Sequence, residues 1–323
     1  MILVISYPGE EHTDDVVGRL QRAGRDVVRI DLADFPAASG LSCSWDVGAP
    51  ERYLIQTPGG TVDLAGARAA WWRRVRAHTL DPLMSDPDAM AFAMSETNEA
   101  VSGMLDALSC PWMNPREADS AAHHKPLQWA VARQVGLQLP RTLVTSRPDD
   151  ARAFIAEIGV GKVVFKAFIA MLEAWRETRL VEESDLAHLD SVRLAPVIFQ
   201  EYVPGVDLRI IHVGERFYTA ELDAQDTSYP VDMRMVIGEA KVRPVELPAR
   251  LEAQLLALQR RLGLVYGAID MRRTPDGDYL FLEVNPAGQW MFVEERTGLP
   301  ISQAVADQLC AMADRGVREP VGV

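Results

Sequence analysis

Near the carboxyl end of this 323-residue chain, two apolar runs flank a turn that leaves little choice of local fold. Gly267-Ala-Ile-Asp270 leads through Met271-Arg-Arg273 into Thr274-Pro-Asp-Gly277. Asp278 and the run Tyr279-Leu-Phe-Leu-Glu283-Val-Asn285-Pro286 follow. In Thr-Pro-Asp-Gly, proline presets φ, aspartate caps nearby backbone and glycine accepts a positive φ. The flanks are therefore predicted to pair as an antiparallel hairpin. Glu283 and Asn285, two residues apart, share a face. With Arg273 set opposite Asp278, Asp270 falls opposite Phe281, on that same face and diagonal to Glu283. Two carboxylates and an amide oxygen then converge inside apolar runs, where unpaired carboxylates are costly. Hard oxygen ligands with room for water suit Mg2+ bridging nucleotide phosphates. A solvated polar hairpin face is the simpler alternative at this point.

A chain of this length is predicted to divide into two or three lobes. Residues 2–6 read as a strand, 14–23 as an amphipathic helix closed by Gly24, and 26–30 as a second strand, which together suggest a small parallel sheet. No G-x-G-x-x-G follows the first strand, so a dinucleotide fingerprint is absent. Irregular strands are expected over 41–64, a strand over 69–76 and a helix over 86–108, broken by Cys110-Pro-Trp-Met-Asn-Pro115. A helix over 120–135, strands over 162–166 and 197–202, mostly strand over 207–245 and helices over 251–262 and 301–313 complete the reading.

With 48% hydrophobic and 24% charged residues the chain is an ordinary globular one. A net charge of -13 argues against a nucleic-acid partner, which needs clustered Lys and Arg. Positive charge must instead be concentrated locally wherever a phosphate or acidic substrate binds. No run of ~20 apolar residues exists to span a membrane. The opening MILVISYPGEEHTDD lacks the basic start of a signal peptide. Cys43, Cys110 and Cys310 have no zinc or dithiol spacing, and a reduced cytoplasm is the expected compartment. His123 and His124 are adjacent and point different ways on a helix, which is no ligand pattern.

Three further signals follow in chain order. Lys125 begins a helix and Lys166 ends the apolar strand Val-Val-Phe-Lys166; an ammonium is a compact charge suited to phosphate oxygens. Taken alone, each also fits a surface lysine whose stem lies on apolar neighbours. Val197-Ile-Phe-Gln200-Glu201-Tyr202-Val203-Pro204 is a buried strand running into a linker, able to offer backbone N–H and C=O to an adenine edge. Asp207-Leu-Arg209 comes next, with a carboxylate for ribose hydroxyls or a plain salt bridge to Arg209. Trp71-Trp-Arg73-Arg74 with Arg76 is the densest basic cluster in an acidic chain, either a carboxylate-binding edge or a strand end with surface charge.

In that order the motifs resemble the ATP-grasp enzymes. Within them the chain is similar to the ligases that build graspetides, the microviridin-type ribosomal peptides. Trp71-Trp-Arg-Arg74, Gln200-Glu-Tyr-Val-Pro204, Asp207-Leu-Arg209, Asp232-Met-Arg234, Phe281 through Trp290 and Glu294-x-x-Thr-Gly-Leu-Pro-Ile301 carry the likeness, clearest over residues 120–310. The resemblance implies an α/β and α+β chain with the ATP-grasp fold. Its parts would be an N-terminal pre-ATP-grasp α/β domain (1–118), a central lid subdomain (119–199) and a C-terminal ATP-binding subdomain (200–323). It implies ATP and Mg2+, with Lys125 and Lys166 on the phosphates, Gln200, Glu201, Tyr202 and Val203 framing adenine, and Asp207 on the ribose. Asp270, Glu283 and Asn285 would hold Mg2+, and Arg209 and Lys166 would act on the transferring phosphoryl group. The substrate would be a precursor peptide, leader plus acidic core, met by Arg73, Arg74 and Arg234, and residues 223–243 could pair with the leader. Related enzymes suggest a homodimer.

Two positions depart from the family pattern. The glycine-free segment 167–175 replaces a glycine-containing phosphate loop and reads as a bulky apolar lid, and Gly205-Val206 stands where relatives often carry a lysine. Two other functions remain open at this level: a ligase conjugating a free amino acid or small peptide, and a non-catalytic nucleotide-regulated peptide-binding protein.

Overall fold

The computed structural model describes residues 1–57, 59–168, 178–224, 227 and 238–315. The amino-terminal part begins β1 (Ile2–Ile5), α1 (Glu11–Arg22) and β2 (Val27–Ile30). All four residues of β1 are buried, as both faces of a strand in a covered parallel sheet must be. Its sheet has the order β2-β1-β6-β7, with β6 at Ala69–Trp72 and β7 at Trp112–Met113, every pairing parallel. Between β2 and β6, an antiparallel meander of β3 (Gly40–Ser44), β4 (Arg52–Thr57) and β5 (Gly60–Asp63) occupies the region where irregular strands are expected. The strand expected to reach residue 76 stops at Trp72, because Arg74 takes φ 43° and turns the chain. The long helix α2 (Pro87–Asp106) starts where Asp86 caps the Asp88 N–H at 3.2 Å.

The single helix expected over 120–135 is two, α3 (Arg116–Ala122) and α4 (Lys125–Gln134). Pro126 has no N–H to give and fits only a first helical turn, so the helix restarts there. The central sheet, in the order β10-β9-β11-β8, comprises β8 (Thr142–Thr145), β9 (Val163–Lys166), β10 (Arg179–Leu180) and β11 (Val197–Glu201). One side of it is covered by α5 (Pro148–Ile158), the short α6 (Glu183–Leu186) lying between β10 and β11. The carboxyl-terminal sheet is antiparallel, ordered β14-β13-β12-β15-β16. Its members are β12 (Val206–Val213), β13 (Arg216–Asp223), β14 (Lys241–Pro244), β15 (Tyr266–Arg273) and β16 (Tyr279–Asn285). Helices α7 (Ala249–Leu262), α8 (Met291–Thr297) and α9 (Ile301–Arg315) complete the described chain.

Packing crosses the expected boundaries. Strand β11 straddles residue 199 and belongs wholly to the central sheet. Ala122, Ala132 and Leu137, from the segment assigned to the central part, pack with Leu251, Leu255 and Leu258 of α7 beneath the carboxyl-terminal sheet. The opposite face of that sheet shares one core with the amino-terminal domain: Ile2, Val4, Val16 and Trp71 meet Ile211, Ala268, Trp290 and Val305. Outside that core, Arg25 holds Asp314 of α9 through two 2.7 Å hydrogen bonds.

Candidate active site

The β15–β16 hairpin has a different register from the one the turn predicts. Five residues, not four, form the loop: the Thr274 N–H donates to the Asp278 carbonyl at 2.9 Å, and the Asp278 N–H donates to the Thr274 hydroxyl at 3.0 Å. Arg273 therefore pairs with Tyr279 rather than Asp278. A one-residue slip would turn the carboxylates to the wrong face. A bulge at Leu282 adds a second slip, and Asp270 comes directly opposite Glu283 rather than Phe281. Phe281 pairs with Met271 and enters the core together with Val284, three residues on, a spacing that a regular strand does not allow.

The bulge is held from outside the hairpin. The Trp129 indole of α4 donates to the Leu282 carbonyl at 2.9 Å. The Gln128 amide donates to the Val284 carbonyl and accepts from its N–H, both at 2.8 Å, so one side chain completes the open edge of β16. The same helix carries Lys125, which ion-pairs with Glu283. On the other side, Arg209 of β12 lies opposite Asp270 and donates to both its oxygens, at 2.8 and 3.0 Å. Arg209, Asp270 and Glu283 thus form one row across three strands, with Asn285 on the same face and Lys125 at its end.

Arg209 also donates to the Gln289 carbonyl at 2.8 Å. Gly288, beside it, has no space for a side chain: a Cβ there would collide with the Ala268 methyl and lie 3.1 Å from the Arg209 guanidinium. Asn285 accepts from the Ala287 N–H at 2.9 Å, which fixes its amide as the chain leaves β16. Among the described residues no cluster of three His, Cys, Asp or Glu occurs. Two facing carboxylates and a nearby amide oxygen nevertheless fit Mg2+, whose other ligands are ordinarily phosphate oxygens and water.

The central sheet carries the other expected residues. Lys166 donates to the Gln200 side-chain carbonyl at 2.9 Å, and the Gln200 amide donates to the Thr142 hydroxyl at 2.8 Å. Gln200 is buried and serves to hold Lys166. Beyond it, the Glu201 and Tyr202 N–H groups are committed to the Arg141 and Lys162 carbonyls, both at 2.8 Å. Val203 is buried at the start of the linker. Asp207 pairs with Arg272 at 3.2 Å rather than with Arg209, because the strand register puts Arg272 directly opposite it. Arg272 also reaches the Tyr202 hydroxyl at 3.5 Å and the Gly205 carbonyl at 3.2 Å, tying Asp207 to the linker. A lysine does not fit at Gly205, where φ is 144° and a Cβ would strike the Arg273 backbone.

With this geometry, likeness to proteins of known kind becomes specific. A family model described as the MvdD pre-ATP grasp domain matches residues 1–120. The macrocyclase MdnC of Microcystis aeruginosa MRC, solved bound with precursor peptide MdnA, superposes with a TM-score of 0.84 at 31% identity, covering 96% of this chain and 99% of that one. The chain belongs to the graspetide, microviridin-type ATP-grasp ligases. A RiPP-associated ATP-grasp ligase of Chryseobacterium gregarium, solved with ADP and a leader and core peptide, superposes with a TM-score of 0.87 at 27% identity, covering 98% and 97%. A probable alpha-L-glutamate ligase of Enterobacter sp. (strain 638) is 30% identical over 181 residues, 53% of this chain and 58% of that protein. The chain thus spans little more than half the length of that curated relative.

In this graspetide ligase the arginine cluster divides. Arg74 is exposed, in the left-handed φ that ends β6. Arg73 is not a surface residue: it is 1% exposed, its guanidinium 4.8 Å from the Trp290 ring centre and donating to the Gly288 carbonyl at 3.0 Å. A guanidinium so enclosed has no free face for a peptide carboxylate. Burial pushes Glu10, beside it, up, but the His12 hydrogen bond, the Arg73 charge and Thr13 outweigh that and hold the carboxyl at about 2. Burial likewise pushes the Tyr266 hydroxyl up to about 12, so it stays a donor to the Gly288 carbonyl at 2.7 Å. Arg234 and most of the segment after Lys166 (169–177) lie outside the described residues, as do 225–226 and 228–237 of the stretch expected to meet a leader. No helix of the described residues is long and apolar enough to cross a membrane.

Proposed function

We propose that this chain uses ATP to activate Asp or Glu side chains of a ribosomal precursor peptide and closes each onto a Ser or Thr hydroxyl, or a Lys amine, of the same peptide. The row of Arg209, Asp270 and Glu283 with Lys125 at its end carries this reading, supported by full-length likeness to a macrocyclase and to a RiPP-associated ATP-grasp ligase, both solved with peptide. A substrate carboxylate oxygen attacks the γ-phosphorus and ADP leaves; the hydroxyl or amine then attacks the acyl carbon, the bond from that carbon to the phosphate oxygen breaks, and inorganic phosphate leaves as the nucleophile gives up one proton, which the phosphate can carry away. Such chemistry is mostly positioning and charge neutralisation.

Asp270, Glu283 and Asn285 would hold Mg2+, which when bound neutralises phosphate charge. Lys125 and Lys166 bring point charges to the phosphates, Lys166 held in place by Gln200. Arg209 presents a planar fork, steadied by Asp270 and the Gln289 carbonyl, to the phosphoryl oxygens or the acyl phosphate. With the Glu201 and Tyr202 N–H groups committed elsewhere, the linker at Glu201, Tyr202 and Val203 offers its carbonyls and the Val203 N–H to adenine, and Asp207, steadied by Arg272, meets the ribose. Arg74 and Arg234 are assigned to the acidic core of the peptide. A homodimer in the cytoplasm completes the reading, and light scattering checks the stoichiometry.

The test uses a candidate precursor, a short peptide rich in Thr or Ser followed by Asp and Glu. With ATP and Mg2+, loss of one water per ring and matching ADP release are expected, and Asp270→Asn or Glu283→Gln should lower both by on the order of 10³-fold. A gain of mass on the peptide would point instead to conjugation, as the name of the Enterobacter relative suggests for that protein. Equal rates in wild type and variants would overturn the catalytic assignment.

A further inference from the structure

The turn between β16 and α8 is gripped at nearly every peptide by side chains from elsewhere. Asn114, just after β7, donates to the Pro286 carbonyl at 3.3 Å. Tyr266 and Arg73 both donate to the Gly288 carbonyl, at 2.7 and 3.0 Å. Arg209 takes the Gln289 carbonyl at 2.8 Å, and the Trp290 and Met291 N–H groups donate to His12 Nε2 at 3.1 and 3.3 Å. Because Nε2 accepts, the ring proton is on Nδ1, which donates to Glu10 at 3.1 Å. Glu10 in turn lies 3.6 Å from the Arg73 guanidinium and accepts from the Thr13 N–H at 2.8 Å. His12 meets the Trp290 ring edge-on at 4.5 Å, and the Arg73 guanidinium lies 4.8 Å from the centre of the same ring.

Glu10, His12, Arg73 and Trp290 are all nearly fully buried. A buried ion pair of this kind is not a good device for stability alone, since well-packed apolar residues serve as well or better. What an apolar replacement could not do is fix two successive peptide groups in one orientation. The second of those carbonyls is the one that seats Arg209.

We propose that Arg73, braced by Glu10 and His12, is a positioning residue: it locks the Gly288–Gln289 peptides so that the Gln289 carbonyl holds the Arg209 guanidinium in line with Asp270. This rests on the reading above, in which Arg209 acts on the transferring phosphoryl group. It makes the amino-terminal domain, which contributes no member of the Arg209–Asp270–Glu283 row, a determinant of turnover.

The decisive experiment is a double-mutant cycle of Arg73→Met and Arg209→Lys, read as ADP release with the same precursor peptide, together with MgADP affinity and amide exchange over residues 286–291. Arg73→Met should lower kcat by on the order of 10²-fold, with KM for MgATP and MgADP affinity changed only a few-fold. Exchange at 286–291 should rise, and Arg73→Lys should restore only part of the rate, since lysine keeps the charge but not the stack. If Arg73 works through Arg209, the double variant is no slower than the slower single one; additive losses, or an unchanged kcat in Arg73→Met, overturn the proposal. Should Arg73→Met fail to fold, the same cycle with His12→Gln reads the same coupling with the same two outcomes. Asp270→Asn is the control: if it retains full activity the underlying reading fails, whatever the cycle shows.

Discussion

Arg73 and Arg209 look alike in the sequence, each an arginine read as part of a strand, yet their surroundings separate them. Arg209 keeps a fork with two partners, the Asp270 carboxylate and the Gln289 carbonyl, in a geometry an ammonium cannot reproduce. Arg209→Lys is therefore expected to lower kcat by on the order of 10²-fold with MgADP affinity nearly unchanged, measured by ADP release and calorimetry. Gly288 is constrained just as tightly. Gly288→Ala should destabilise the protein by about 2 kcal/mol, because the new methyl meets Ala268 and crowds Arg209, and should lower turnover further than that loss explains. Thermal melts beside turnover separate the two effects. At this scale the residue types were legible in the sequence, and their partners were not: nothing in the order of residues tells that Asp207 faces Arg272 or that Glu10 lies beside Arg73.

Among the elements, the hairpin shows how a correct pattern can rest on a wrong register. Turn chemistry and alternation suffice to put Asp270, Glu283 and Asn285 on one face, but the five-residue loop and the bulge at Leu282 each shift the register by one residue in the same direction, and only their sum of two restores the shared face. The bulge survives because α4 supplies what the ladder omits. Gln128→Leu leaves both backbone groups of Val284 without their side-chain partner and is expected to cost about 3 kcal/mol. Trp129→Phe removes only the bond to Leu282 and is expected to cost about 1 kcal/mol. Both should weaken MgADP binding, since Glu283 is held by the same strand, and denaturant melts with calorimetry at several Mg2+ concentrations check this. The signal that could have exposed the bulge is the spacing of Phe281 and Val284, large apolar residues three apart in a strand.

At the scale of the molecule, the carboxyl-terminal sheet is enclosed on both sides, and His212 of β12 bears the consequence. It is 1% exposed, neither ring nitrogen has a hydrogen-bond partner among the described residues, and burial pulls it down to about 4. The folded state prefers the neutral ring, so its contribution to stability is intact above the ordinary value of 6.5 and drains away as pH falls toward 4. About 2 kcal/mol of stability is expected to vanish between about pH 7.5 and about pH 5 through this group. His212→Phe, which keeps the contact with the Phe217 ring, should flatten that dependence, and denaturant melts at the two pH values measure it. Glu10, held at about 2, adds its own loss only below about pH 4.5, because its folded value lies under the ordinary one.

What the sequence determined by itself was local: which runs are strands or helices, where turns fall, and which carboxylates and lysines stand in the order an ATP-grasp site requires. Periodicity and turn residues act over a few positions, so they survive without knowledge of the rest of the chain. Only the tertiary structure decided that Arg209, Asp270 and Glu283 form one row, that Arg73 turns inward, and that the amino-terminal domain grips the turn at Gly288. Those contacts join residues up to 279 positions apart, as between His12 and Met291, and the burial and facing charge that select them exist only once the sheets have packed.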